Sequence, residues 1–285
     1  MSQSRITGAF FVEGFLLFSL GVGIAKYLGS TIAWERVWLG ILWVGCLQVG
    51  ASFLWRQALR ISKDADNGQL RSSSFSSEFS LASASFACLA SLTVLMIAGR
   101  FFNLPLFLIS VIGVLGTLVS TKAIRIGELD RFREVIISFL MAVLIPWFSF
   151  LLQTGELHRF LTFVALPMLA LRIAMILSYQ LSTYANDVHQ KNQTLMVRIG
   201  WQSGMSLHNV LILFAFVVIA FGPLLGIPMA VGLPPLAALV LGLWQIWLMR
   251  RIAQGVKPNW RGLVWGGAAM YGLVVYLFSY SFWIR

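Results

Sequence analysis

Short polar stretches divide the chain into about nine apolar segments, each near the ~20 residues that an α-helix needs to cross a ~30 Å hydrocarbon layer. No water reaches backbone N–H and C=O groups in such a layer, so a segment can cross it only if its hydrogen bonds close within itself or around a barrel. Runs of this length specify helices. The expected fold is all-α, a polytopic membrane bundle of about nine transmembrane helices around a central cavity. Expected spans are 8–28, 37–58, 80–98, 104–121, 135–152, 160–181, 207–226, 229–249 and 263–284. Composition agrees: 59% of the 285 residues are hydrophobic and 11% charged, which leaves too little polar surface for a soluble core. No composition shift marks a linker, so one membrane domain is expected to cover residues 1–285. The first span is too long for a signal peptide and no cleavage pattern follows it; it reads as a retained helix.

Charge placement supplies the orientation. The N-terminus and the second, fourth, sixth and eighth connections hold most of the cations, among them Arg5, Arg56, Arg60, Lys63, Arg71, Lys122, Arg133, Lys191, Arg198, Arg250 and Lys257. The opposite side holds Lys26, Arg36, Arg100, Arg159 and Arg285. That asymmetry expects a cytoplasmic N-terminus and an outside C-terminus, with a bacterial cytoplasmic membrane as the setting. The net charge of +11 is then largely topology and contact with anionic lipid, and membrane lipids rather than nucleic acid are its partners. The fourth connection, 121–134, mixes charges such as Arg131 and Glu134 with Ile124, Leu129 and Phe132, and reads as an amphipathic piece at the interface.

Within the membrane, ionisable groups are costly and normally face a cavity or a partner. Arg172 lies mid-span and is a candidate chamber-lining charge; pairing with Glu13 is its structural alternative. Cys46 and Cys88 each fall inside a span and read as small packing residues, with nothing in their spacing to suggest a disulfide or metal. His208 is expected at the interface and His189 on a loop surface. Pro146, Pro167 and the pair Pro234–Pro235 are expected to kink their helices.

The most polar interruption runs from Thr183 to Gly200 and keeps Asp187, His189, Lys191 and Arg198 together. Its tail, Thr194-Leu195-Met196-Val197-Arg198-Ile199-Gly200, resembles the second signature region of the UbiA superfamily of intramembrane prenyltransferases, where D-x-x-x-D precedes G-K-R-T-L-x-V-R-L-G. Aligned on that tail, Asp187 takes the second acid's place, Thr183 the first and Asn192 the lysine's. Softer likenesses are Gln153-Thr154-Gly155 and Lys257-Pro258-Asn259-Trp260-Arg261. The layout is closest to the menaquinone branch. The resemblance implies a UbiA-like fold, a prenyl diphosphate or isoprenoid lipid as one partner, and an aromatic, quinone-precursor-type acceptor. It alone implies Mg²⁺, held by two Asp-rich regions that bridge the diphosphate as the allylic C–O bond ionises.

The first Asp-rich region, N-D-x-x-D-x-x-x-D in the family, is degenerate in this chain. In one register Arg56, Gln57 and Arg60 replace the Asn and first two Asp, and Asp64 survives; a shifted register places Arg60, Ile61 and Gly68 at the other positions. Asp64, Asp66 and Asp187 are therefore the candidate metal ligands. Arg56, Arg60, Lys63, Arg71, Arg172, Lys191 and Arg198 are the candidate substrate or diphosphate contacts, since guanidinium forks suit phosphate oxygens. Two readings stay open: a polyprenyl transferase in which cations take over from metal, or a non-catalytic binder of isoprenoid lipid or quinone. Transport is third, and the chain lacks the matching broken helices it would favour.

Overall fold

The computed structural model describes the backbone of residues 3–66, 77–121, 132–190 and 192–285, and the side chains of the same ranges except 3–9 and 59–66. Among the described residues every regular element is helical. In chain order they are α1 (Gln3–Tyr27), α2 (Trp34–Asp66), α3 (Ser77–Ala98), α4 (Leu104–Ser120), α5 (Arg133–Phe139), a π-helical turn (Leu140–Leu144) and α6 (Ile145–Thr154). There follow α7 (Arg159–His189), α8 (Leu195–Ile199), α9 (Trp201–Ala220), α10 (Met229–Gly232), α11 (Leu239–Ala253) and α12 (Trp260–Ile284). Eight rods are long and apolar enough to cross a membrane, counting α5 through α6 and α10 through α11 as one each; α4, the ninth expected segment, has 17 residues.

The sequence sets the helix ends. Asn103 caps α4, its side chain accepting from the Leu106 N–H with Pro105 in the first turn, where a missing donor costs nothing. Gly155, at φ +78°, closes α6 in the left-handed conformation that a Cβ disfavours. His158 caps α7 and Asn259 caps α12 through their side chains.

Contacts show which ends lie together. Gln153 Oε1 accepts from the Ala33 N–H at 3.0 Å, Asn103 donates to the Gly155 carbonyl, and Lys26 Nζ reaches the Trp283 carbonyl at 2.6 Å. The finish of α1, α6 and α12 and the start of α2 and α4 therefore share one end of the bundle. The other end gathers the start of α1 and α5 and the finish of α2, α7 and α11; it carries Arg133, Arg198, Arg250 and Arg251 and is called the basic end below.

Buried residues concentrate on the α5–α6 rod and on α7, whereas α3 is mostly exposed to what would be lipid. Leu17, Leu20 and Ile24 of α1 pack with Phe148 and Leu151 of α6 and with Val274 and Phe278 of α12. Gly21 lets α1 touch α6: a Cβ there would stand 2.2 Å from the Pro146 carbonyl oxygen. The π turn just before Pro146 is fully buried, and Ile145 donates across it to the Leu140 carbonyl. Of the expected kink sites, Pro167 lies within the continuous α7 and Pro234–Pro235 open a 3₁₀ turn before α11.

At the α2–α3 contact Trp43 Nε1 donates to Thr93 Oγ1 at 2.9 Å, and Gly50 makes room for the Phe86 ring. Between these contacts the sulfurs of Cys46 and Cys88 lie 3.5 Å apart. Isolated packing thiols were expected. The helix register brings them face to face.

Candidate functional site

The polar interruption is built on the last turns of α7. Thr183 and Asp187 lie one turn apart on the same helix face, and Thr183 Oγ1 donates to Asp187 Oδ2 at 2.8 Å. Beyond the helix the chain folds back, so that the Asn192 amide donates to Asp187 Oδ1 at 3.1 Å and the Asn192 N–H to the Asp187 carbonyl at 2.8 Å. The carboxylate is thus fixed on both oxygens and largely buried, at 8% exposure. The two positions where the chain departs from the family pattern, Thr183 and Asn192, are the two that hold its remaining acid.

The motif tail forms the short α8, and its first N–H groups have side-chain acceptors. Thr194 Oγ1 accepts from Val197 N, Glu134 Oε1 from Leu195 N at 3.3 Å, and Gln180 Oε1 from Met196 N at 3.1 Å. Gln180 in turn donates to Glu134 Oε1 at 3.1 Å, and Arg198 lies 3.9 Å from Glu134 Oε2. Glu134 therefore pins α5, α7 and α8 together. Its partners on α8 stand 61 residues away along the chain, and the sequence places it only in an amphipathic connection. The long Arg198–Glu134 approach leaves Arg198 Nε and Nη2 without a hydrogen-bond partner in the structure.

Arg172 lies fifteen residues before Asp187 on α7, about 22 Å along the axis at 1.5 Å per residue. Its Nε is 2.9 Å from Glu13 Oε1 and its Nη2 donates to Glu13 Oε2 at 3.2 Å, while the Phe10 ring sits 5.4 Å from the guanidinium. Tyr271 of α12 borders the same carboxylate. This charge is the partner of Glu13. A diphosphate, only several ångströms long, cannot touch both Arg172 and the mouth at Asp187.

On α2, the Arg56 guanidinium lies 5.5 Å from the Phe53 ring centre. The helix continues through Arg60, Lys63, Asp64 and Asp66, whose side chains lie outside the described set, as do Arg71 and Lys191 altogether. His189 is exposed. The expectation for His208 fails: it is fully buried within α9, its Nδ1 3.1 Å from Asn209 Oδ1, because α9 starts at Trp201 and carries the residue a full two turns inside the helix.

Mg²⁺ takes oxygen ligands, commonly from more than one carboxylate. Among the described residues no three acidic, His or Cys side chains come together, Asp187 has both oxygens engaged, and Glu134 is held by Gln180, Leu195 and Arg198. These donors alone do not fit the ion. Two clefts lie elsewhere. One of about 540 Å³ is bordered by Met229, Leu233, Pro234 and Arg285, and one of about 210 Å³ by Trp43, Thr93, Phe107 and Val114.

An all-helical, multi-pass bundle with a basic end carrying this motif defines an integral membrane protein of the intramembrane prenyltransferase type. The model of the UbiA prenyltransferase family matches residues 15–263, and the chain belongs to that family. Its fold is similar to that of a UbiA homolog from Archaeoglobus fulgidus, solved bound to GPP and Mg²⁺, with a TM-score of 0.58 at 14% identity over 96% of this chain and 97% of that one. None of the curated proteins matches the sequence.

Proposed function

We propose that this chain binds a prenyl diphosphate at its basic end and transfers the polyprenyl group to an aromatic acceptor of the quinone-precursor type. The observation that carries the reading is the family match across residues 15–263. The bound GPP of the Archaeoglobus fulgidus homolog supports the donor class. In the transfer the allylic C–O bond breaks and diphosphate leaves with the electron pair. An aromatic carbon then attacks the allylic cation, and the ring proton is lost to restore aromaticity.

Charge stabilisation of the leaving diphosphate falls to Arg56, Arg60, Lys63, Arg71, Lys191 and Arg198, because cations outnumber acids in the connections that bear them. Arg198 supports this role with its unpartnered Nε and Nη2. Arg172 is left out, being the partner of Glu13 far along α7. Asp64, Asp66 and Asp187 are the acids that a Mg²⁺ ion would require. Since the described donors do not fit the ion, no step is routed through it. Basic end and N-terminus face the cytoplasm in this reading, with the C-terminus outside, in a bacterial cytoplasmic membrane.

The engagement of both Asp187 oxygens favours a second reading, a non-catalytic binder of isoprenoid lipid or quinone. Purified protein given geranyl diphosphate and an aromatic acceptor separates the two. Pyrophosphate release that falls in Arg198→Ala and Asp187→Ala supports transfer. Binding without any release, insensitive to EDTA and weakened in Arg60→Ala, rejects transfer in favour of the binder.

A further inference from the structure

The two cysteines of the chain lie 42 residues apart in sequence, on different helices, yet their sulfurs come within 3.5 Å. Side-chain chance does not explain the approach, because contacts on either side fix the register of the antiparallel pair α2 and α3. Trp43 donates to Thr93 on one side of the thiols, and Phe86 seats against Gly50 on the other. Moving Cys88 away from Cys46 would unseat both. The remaining gap to a disulfide sulfur separation of about 2.05 Å is small enough for side-chain rotation with a slight helix shift.

The surroundings define what can react there. Cys46 lies twelve residues into α2, about 18 Å from its start, and so near the middle of a ~30 Å hydrocarbon layer. Cys88 is exposed on the face that would meet lipid, and Cys46 is half-buried beside it. Water-soluble oxidants do not partition to that depth. A hydrophobic two-electron acceptor does.

We propose that Cys46 and Cys88 form a modification site, a reversible disulfide closed by a membrane-dissolved quinone. Two S–H bonds break and one S–S bond forms. The two electrons and two protons released pass to the quinone, which leaves as the hydroquinone. Closure would staple α2 to α3 above the connection that carries Asp64, Asp66 and Arg71, so that a segment of the basic end is tied into one ring of chain. The proposal does not depend on prenyl transfer, and its readout is independent of activity.

The experiment uses the full chain in lipid nanodiscs, treated with a decyl-substituted benzoquinone and, in parallel, with copper–phenanthroline. After denaturation the protein is alkylated with N-ethylmaleimide and its intact mass is read. The expected result in both arms is loss of two hydrogens and of both alkylations, reversed by a phosphine reductant, while Cys46→Ser and Cys88→Ser each stay fully alkylated at the remaining thiol. Thiols still free after both oxidants would overturn the geometry. A disulfide formed by copper–phenanthroline but not by the quinone would overturn the assigned oxidant and with it the proposal, as would a disulfide between chains instead of within one.

Discussion

Two charged groups on the same helix, α7, behave in opposite ways. Arg172, deep in the bundle and 1% exposed, is met by a carboxylate from α1 at 2.9 Å. Arg198, just past the helix and 19% exposed, keeps a loose 3.9 Å approach to Glu134 and two unpartnered nitrogens. Depth explains the contrast. Uncompensated charge costs several kcal/mol in a dry interior, so Arg172 must carry its counterion within the protein, whereas water and lipid head groups at the mouth let Arg198 wait for an external anion.

The sharpest way to break this comparison is at the deep pair. Arg172→Met leaves Glu13 buried without its partner and is expected to cost about 3–5 kcal/mol, read as a fall in Tm of the detergent-solubilised protein. A Glu13→Leu change on top of it is expected to recover most of the loss. If Arg198→Met lowered Tm as far, the contrast between depth and mouth would disappear.

Asp187 tests the mouth. Asp187→Asn keeps the shape and the Thr183 contact but removes the charge, and is expected to reduce pyrophosphate release about 10- to 100-fold, roughly 1.4–2.7 kcal/mol in the barrier, with Tm little changed. An unchanged rate with a lowered Tm would make Asp187 a structural cap. Glu134→Leu is expected to cost about 2 kcal/mol in stability, because charge-assisted hydrogen bonds to Gln180 and the Leu195 N–H are lost together. The smallest change is Thr194→Ala, about 1 kcal/mol or less, since it removes one N-cap from a short helix.

The helical layout was legible because membrane insertion writes itself into composition. The expected span 160–181 lies inside Arg159–His189, and 104–121 coincides with Leu104–Ser120 to within a residue. What apolarity could not show is that helices outlast their hydrophobic runs: α7 continues for eight residues past Leu181 and α2 for eight past Ala58, on polar residues that would line a mouth. Asp187 and Arg198 were visible through the motif. Glu134, the partner that fixes α8, was not, because its contacts join connections far apart in the chain. The approach of Cys46 to Cys88 was equally hidden, since periodicity places residues on a face but does not say which face of a neighbour they meet.

The five-residue π turn at Leu140–Leu144 makes the length of its rod a matter of parity. A π turn accommodates one residue more than an α turn, and each residue advances an α-helix by about 100°. Deleting one codon there would let the rod relax into regular α-helix and swivel everything after it by that angle relative to α5. Gln153 would leave Ala33 and Pro146 would leave Gly21, while Glu134 stayed in place at the far tip. A loss of three nucleotides that preserves reading frame and hydropathy alike would therefore be read by the bundle as a misthreaded screw.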